Sequence, residues 1–262
     1  MKIKEIIDAL ERFAPLPLQD GFDNAGLQIG LTEAEATGAL LCLDVTEAVI
    51  DEAIMLGYNL VVSHHPLIFK GYKSITGKDY VERCIMKAIK NEIVIYSAHT
   101  NLDNAEGGVN FKIAEKIGLK NVCVLEPKED AVEVVAGAGV VGELEEPETE
   151  TEFLKRIKKL FEVGCVKHNR MNGRLIKKVA LCGGSGAFLL PRAVKSGADV
   201  FITGEVKYHD YFYYDNRILV AEIGHYESEQ FTKEIFYSII RDMFPKLDVQ
   251  TTRVNTNPIK YL

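Results

Sequence analysis

The sequence predicts an α/β protein built by internal duplication, with histidines and carboxylates gathered at strand ends in both copies. Three observations carry this. An apolar run ends at His99 with Asp103 four residues on, and a second ends at His225 with Glu229 four residues on, the two pairs lying 126 residues apart. Upstream, Cys42, Gly57 and Ser63 align without a gap on Cys182, Gly197 and Thr203, each 140 residues later. Between these landmarks, short apolar runs alternate with stretches of helical periodicity. That alternation means mainly parallel or mixed sheets with helices outside, an αβα arrangement in each of two lobes. Such proteins build their sites at the carboxyl ends of strands.

In the first copy, apolar residues at positions 3, 6, 7 and 10 mark one face of a helix over 3–13. Residues 39–44 read as a buried strand and 47–56 as a helix stopped by Gly57. Residues 59–63 form a second strand that runs into His64, His65 and Pro66; the proline keeps His65 extended, so neighbouring imidazoles should point to opposite sides. A helix over 79–91, a strand over 92–98, a helix over 109–117 and a strand over 122–125 follow. The second copy repeats the order: a glycine-interrupted β stretch over 132–141, a helix over 151–161 and a strand over 178–182. Then come a helix over 188–195, strands over 199–203 and 217–223, and a helix over 230–243. The seam falls near residues 126–130, giving repeats 1–127 and 128–262, and the charged stretch 143–150 reads as a surface loop.

Composition narrows the class. At 262 residues, 47% hydrophobic and 26% charged, the chain has the balance of an ordinary globular protein. A net charge of −7 argues against a generally basic, nucleic-acid-coating surface. The first residues read as an amphipathic helix rather than a signal peptide, and no apolar run approaches the roughly 20 residues of a membrane span. Five cysteines are scattered singly, with Cys42, Cys123 and Cys182 reading as small core residues; the cytoplasm is the expected location.

The strand ends of the first copy deliver His64, His65, His99 and Asp103, and those of the second deliver Glu205, His225 and Glu229. Copies facing each other across a pseudo-dyad would bring these into one inter-lobe cleft. Imidazoles mixed with carboxylates suit two borderline divalent ions among Zn, Fe, Mn, Co and Ni. Ions about 3.5–4 Å apart would activate water and clamp an oxygen-rich substrate. A single histidine at a strand end is ordinarily a hydrogen-bonded surface or core residue. Five of the six histidines (64, 65, 99, 209 and 225) lie in or beside strand-end segments, which outweighs that ordinary reading. His168 reads as an exposed loop residue.

Gly183-Gly184-Ser185-Gly186 follows a strand and precedes a helix, so it reads as a tight turn or a phosphate loop. It approaches a nucleophile elbow, with Asp210 and His225 following in hydrolase order, but Ala187 stands where the last glycine belongs. The segment from Gly21 to Leu27 reads as a turn from which Asp23 or Asn24 could reach the site. Tyr208, Tyr211, Tyr213 and Tyr214 around His209 read as a packed or subunit-facing aromatic patch.

Five segments together resemble the signatures of the Ngg-interacting-factor-three-like family, whose bacterial and archaeal members are called GTP cyclohydrolase I type 2 homologues. They are Asp23-Asn24-Ala25-Gly26-Leu27-Gln28-Ile29-Gly30, Ser63-His64-His65-Pro66-Leu67-Ile68-Phe69 and Ala98-His99-Thr100-Asn101-Leu102-Asp103, then Asp199 to Glu205, and Gly224-His225-Tyr226-Glu227-Ser228-Glu229. The resemblance runs from end to end. It implies a two-lobed α/β fold with a dinuclear metal site in the cleft, and trimers stacked into a hollow hexamer. By motif, the ligands would be His64, His65, Asp103, His225 and Glu229. His99 and Glu205 would stand beside the site as orienting or proton-carrying, catalytic residues. Longer relatives carry a domain between the halves, where this chain has only residues 130–150, so functions of that insert do not transfer.

These expectations converge on a metal-dependent hydrolase acting on a nucleotide-like or phosphorylated substrate, with GTP ring opening at C8 as the specific case. The nearest basic residues for a triphosphate are Lys70, Lys73 and Lys207, with no arginine cluster. The alternative is a non-enzymatic, metal-loaded oligomeric ring that binds nucleic acid or a regulatory partner. Its basic face would be Lys155, Arg156, Lys158, Lys159, Lys167, Arg170, Arg174, Lys177 and Lys178. Metal storage or delivery is a third possibility.

Overall fold

The computed structural model describes residues 1–128 and 135–262, so the start of the expected β stretch, 132–134, lies outside the described residues. The first elements are α1 (Ile3–Phe13), β1 (Gly26–Ile29), β2 (Ala39–Cys42), α2 (Glu47–Leu56), β3 (Leu60–Ser63), α3 (Tyr80–Lys90) and β4 (Val94–Ser97). Then come α4 (Thr100–Asn104), α5 (Val109–Ile117), β5 (Lys120–Pro127), β6 (Gly137–Thr149), α6 (Glu150–Leu160), β7 (Lys167–His168) and β8 (Leu175–Cys182). The remainder is α7 (Leu190–Lys195), β9 (Val200–Thr203), α8 (Tyr208–Tyr214), β10 (Leu219–Glu222), α9 (His225–Glu229), α10 (Thr232–Met243) and β11 (Val249–Thr251). They form two compact units, Met1–Leu102 with Thr232–Pro258, and Asp103–Phe231 with Ile259–Leu262. Among the described residues no helix is long and apolar enough to cross a membrane.

The first unit holds a five-stranded sheet in the order β1-β4-β3-β2-β11. β2, β3, β4 and β11 run parallel, and β1 closes one edge antiparallel. β2, β3 and β4 are buried at every position, as continuous apolar strands covered on both faces must be. Leu40 and Val61 join Val49, Ile50 and Ala53 of α2 and Cys84 and Ile85 of α3 in one core cluster. α1 packs against α10 with Ile3, Ile6 and Leu10 buried on one helix and Phe236 and Ile240 on the other. Local chemistry sets the helix bounds: the Thr46 hydroxyl accepts from Val49 N–H to cap α2, and Gly57 ends it at φ +70.

The second unit holds a six-stranded mixed sheet, β5-β6-β8-β9-β10-β7, with β8, β9 and β10 parallel and the other pairings antiparallel. The expected surface loop at 143–150 is instead largely the far half of β6. Glu143 pairs with Lys178 and Glu148 with Ile176 across an irregularity, and Glu148 meets Arg156. Glu145 and Glu146 in the irregular stretch are exposed, Glu143 and Glu148 half-buried and Glu150, which opens α6, buried, so the charge pattern reports positions of mixed exposure in paired structure rather than a loop. Cys123, expected in the core, is exposed on β5, a sheet edge. All five cysteines are free thiols.

Each unit presents three parallel strands that end level with one another. Cys42, Ser63 and Ser97 are register partners at the ends of β2, β3 and β4. Cys182, Thr203 and Glu222 are partners at the ends of β8, β9 and β10. The residues that follow leave each sheet from one line, and they carry the site chemistry.

Candidate metal site

In the first unit the three loops deliver Asp44, then His64 and His65, then His99. The His64 and His65 ring centroids are 4.9 Å apart, and those of His99 lie 5.2 and 5.4 Å from them. One ring nitrogen from each of the three lies within 4.8 Å of the others, a group that could hold a metal ion. The expected divergence of His64 and His65 does not occur. β3 ends at Ser63, and a bend at both histidines replaces the strand's alternation.

Each ring is oriented through Nδ1. In His64 it meets the Ala98 carbonyl at 2.9 Å, in His65 Asp44 Oδ1 at 2.8 Å, and in His99 Asp23 Oδ1 at 2.7 Å. A carbonyl or an ionised carboxylate only accepts, so Nδ1 carries the proton and Nε2 of the neutral ring carries the lone pair. That is the tautomer of a metal-ligating histidine with its outer partner in place. Burial pushes the Asp23 carboxyl up, but bonds from His99 and Thr100 outweigh it and hold the group at about 2. Asp44 is also held below the ordinary aspartate value, burial being overcome by the bonds from His65 and Thr256.

In the second unit, His225 and Glu229 open and close α9, so the i,i+4 spacing sets them on one face, with Nε2 of His225 3.2 Å from Glu229 Oε2. Nδ1 of His225 donates to Glu205 Oε1 at 2.8 Å. Burial raises the Glu205 carboxyl, and the bonds from Ser185 and His225 bring it below its usual range. Glu229 is buried at 3% exposure. Its carboxylate lies within 4.8 Å of that of Asp103 on α4, whose backbone carbonyl accepts from the Asn110 side chain. Glu205 thus stands as the partner that orients His225.

The glycine loop packs closely against Glu229, and three of its N–H groups are taken by the protein itself. Gly183 N–H donates to Asn110, Gly184 N–H to Ser228 and Gly186 N–H to Thr203. Ser185 donates to Glu205 at 2.7 Å, so the serine-hydrolase arrangement, which needs serine on the histidine, is not the one formed. His209 lies on α8 in edge contact with Tyr208. His168 is exposed, as expected, but sits on the two-residue β7 paired with β10 rather than in a loop.

Sequence reasoning left out Asp44, which belongs to this arrangement, and did not find the partner of Asp23. Asp44 follows β2 by two residues, in the loop that leaves the sheet beside those carrying the histidines. Asp23 was expected in a turn from which it could reach the site, without a partner; its reach to His99, 76 positions away, is set by β1 pairing with β4.

The fold is mixed α/β, with oriented histidines and carboxylates at parallel-strand ends that could hold a metal ion. Residues 1–258 match the Duf34/NIF3 (NGG1p interacting factor 3) family, and the chain belongs to that family. A Clostridium perfringens relative named GTP cyclohydrolase 1 type 2 homolog is 39% identical over 230 residues, 87% of each chain. A Clostridium acetobutylicum relative of the same name is 33% identical over 266 residues, covering 100% of this chain and 99% of its own. The crystal structure of a hypothetical protein from Staphylococcus aureus superposes with a TM-score of 0.92 at 30% identity, covering 100% of this chain and 99% of that one.

Proposed function

We propose that this protein is a dinuclear-metal-dependent hydrolase acting on a nucleotide-like substrate, with GTP ring opening as the specific case. The observation that carries the reading is the set of four imidazoles, His64, His65, His99 and His225, each with Nδ1 committed to an oxygen. The exposed His168 also meets a carbonyl through Nδ1, at 2.7 Å; what sets the site histidines apart is that they are oriented in this way and converge, with ring nitrogens of His64, His65 and His99 within 4.8 Å of one another. The names of the relatives support the nucleotide part of the proposal.

In this reading His64, His65, Asp103, His225 and Glu229 hold two divalent ions. The donor set fits Zn, Fe, Mn, Co or Ni, since it mixes neutral nitrogen with carboxylate oxygen. Bound there, such ions supply Lewis acidity and ease the deprotonation of water near neutral pH. The residues do the rest: Asp44 and Glu205 keep His65 and His225 in the ligating tautomer, and His99, backed by Asp23, moves a proton at Nε2. We further propose that the chain assembles as a homo-oligomer, a trimer or hexamer, that it works in the cytoplasm, and that 1–127 and 128–262 descend from one duplicated segment.

The binding-ring alternative loses support from its own basic stretch. Arg156 meets Glu148, Lys167 meets Glu222, and Arg174, Lys177 and Lys178 donate to backbone carbonyls of Asn216, Glu145 and Ser196. These five of the nine cations are engaged within the second unit. The test is a nucleotide and phosphoester turnover screen on metal-loaded protein, repeated after chelation. Metal-dependent turnover, absent in Glu229→Ala, is expected; two tightly held ions with no turnover of any nucleotide would contradict the hydrolase reading.

A further inference from the structure

Three of the four imidazoles share a construction that extends beyond the carboxylate each one meets. Asp44 accepts from His65 through Oδ1 and from the Thr256 hydroxyl through Oδ2, both at 2.8 Å. Asp23 accepts from His99 through Oδ1 at 2.7 Å. Its Oδ2 accepts from the Thr100 hydroxyl at 2.5 Å and the Thr100 N–H at 3.0 Å. Glu205 accepts from His225 through Oε1 at 2.8 Å and from the Ser185 hydroxyl through Oε2 at 2.7 Å. In every case one carboxylate oxygen faces a ring and the other faces a hydroxyl.

The hydroxyls come from unrelated places. Thr256 lies in the tail beyond β11, 212 positions from Asp44; Thr100 opens α4; Ser185 sits in the loop after β8. No single turn motif produces all three, so the arrangement is not a by-product of local backbone geometry. Its physical effect follows from torsional freedom. The terminal torsion of a carboxylate is broad, and one hydrogen bond leaves the group free to swing about it. A second donor on the other oxygen fixes the carboxylate plane, and with it the direction in which the ring's Nδ1–H points. His64 needs no such device, because its acceptor is the Ala98 carbonyl, already fixed by the main chain.

We propose that Thr100, Ser185 and Thr256 are positioning residues, hydroxyls that lock the carboxylates of Asp23, Glu205 and Asp44 and thereby hold His99, His225 and His65 in the Nδ1–H tautomer, which leaves Nε2 free to ligate a metal ion in His65 and His225 and to carry a proton in His99. The inference rests on the metal-binding reading above, and the experiment separates the two.

Thr256→Val and Ser185→Ala are compared with the wild type and with the conservative Thr256→Ser. Zinc affinity is measured by chelator competition, and imidazole tautomers by 15N NMR on the metal-free proteins at pH 8. The metal-free wild type shows His65 and His225 in the Nδ1–H form. Thr256→Val mixes the tautomers of His65 alone, and Ser185→Ala those of His225 alone. Each variant weakens zinc about tenfold, the lower end of what losing an outer-sphere partner costs, and Thr256→Ser restores both readouts. Wild-type tautomers and affinity in both variants would overturn the proposal. A wild type that binds no zinc, yet whose tautomers are fixed and loosen in the variants, would uphold the positioning and overturn the metal reading instead. Thermal unfolding separates Thr256→Val as a local change from a loss of the tail.

Discussion

Glu229 occupies the space that a side chain at Gly184 would require: a Cβ there would stand 2.2 Å from Oε1 of the carboxylate. Gly184 also sits at φ +57, where any other residue is strained by about 1–2 kcal/mol. The glycine loop and the carboxylate are therefore one packing unit. Gly184→Ala is expected to push Glu229 aside and to weaken metal binding at least tenfold while the protein stays folded. Metal titration beside circular dichroism checks both halves; unchanged affinity would mean that the Glu229 position does not matter to the ion.

Asp23→Asn keeps the size of the side chain and removes its charge. The amide cannot accept from His99 as strongly as a carboxylate held at about 2. The variant is expected to lose roughly 10–100-fold in turnover if His99 carries the proton, with its melting temperature little changed. Equal turnover in both proteins would remove Asp23 and His99 from the chemistry.

Glu82 offers a pH test remote from the site. Its buried Oε2 accepts from Thr76 N–H at 2.8 Å, Lys78 N–H at 3.1 Å and the Thr76 hydroxyl at 3.0 Å. Burial pushes the carboxyl up, and the donors overcome that and hold it at about 2, below the ordinary 4.5. With the folded value depressed, the stability this group contributes is full above about 4.5 and drains away as pH falls toward about 2. Glu82→Gln should therefore melt lower than wild type at pH 7 and converge on it near pH 2. Parallel melting curves at every pH would contradict the assignment.

Phe236 on α10 is fully buried in the first unit, although it follows the main segment of the second unit, Asp103–Phe231, in sequence. Phe236→Ala should cost about 3–5 kcal/mol, as large-to-small core changes do. Chemical denaturation measures it, and a loss below about 1 kcal/mol would show that α10 is not part of that core.

Much of this was legible in the sequence because the buried strands are unbroken apolar runs and because their ends carry unusual residues. Leu40, Val61 and Ile95 announce β2, β3 and β4, and His64, His65 and His99 stand where those strands stop. Elements with weak local signals were not legible. β1 has only Gly26 to Ile29 and is made by pairing with β4; β11 is made by pairing with β2. α4 and α9 are five residues each, too short for a helical period to show, yet they carry Asp103, His225 and Glu229. Asp23 and Ser185 stood out as residues, but their partners, like the Thr256 contact, were hidden for a related reason: these contacts are long-range, and no spacing rule reports a bond between residues 44 and 256.

The most direct measurement is metal content per chain in protein purified without added metal or chelator, alongside His64→Ala and Glu229→Ala. Two tightly held ions per wild-type chain, with loss of metal from folded variants, is the predicted result. A wild type without metal, or variants that keep both ions, would contradict the assignment of these residues as ligands.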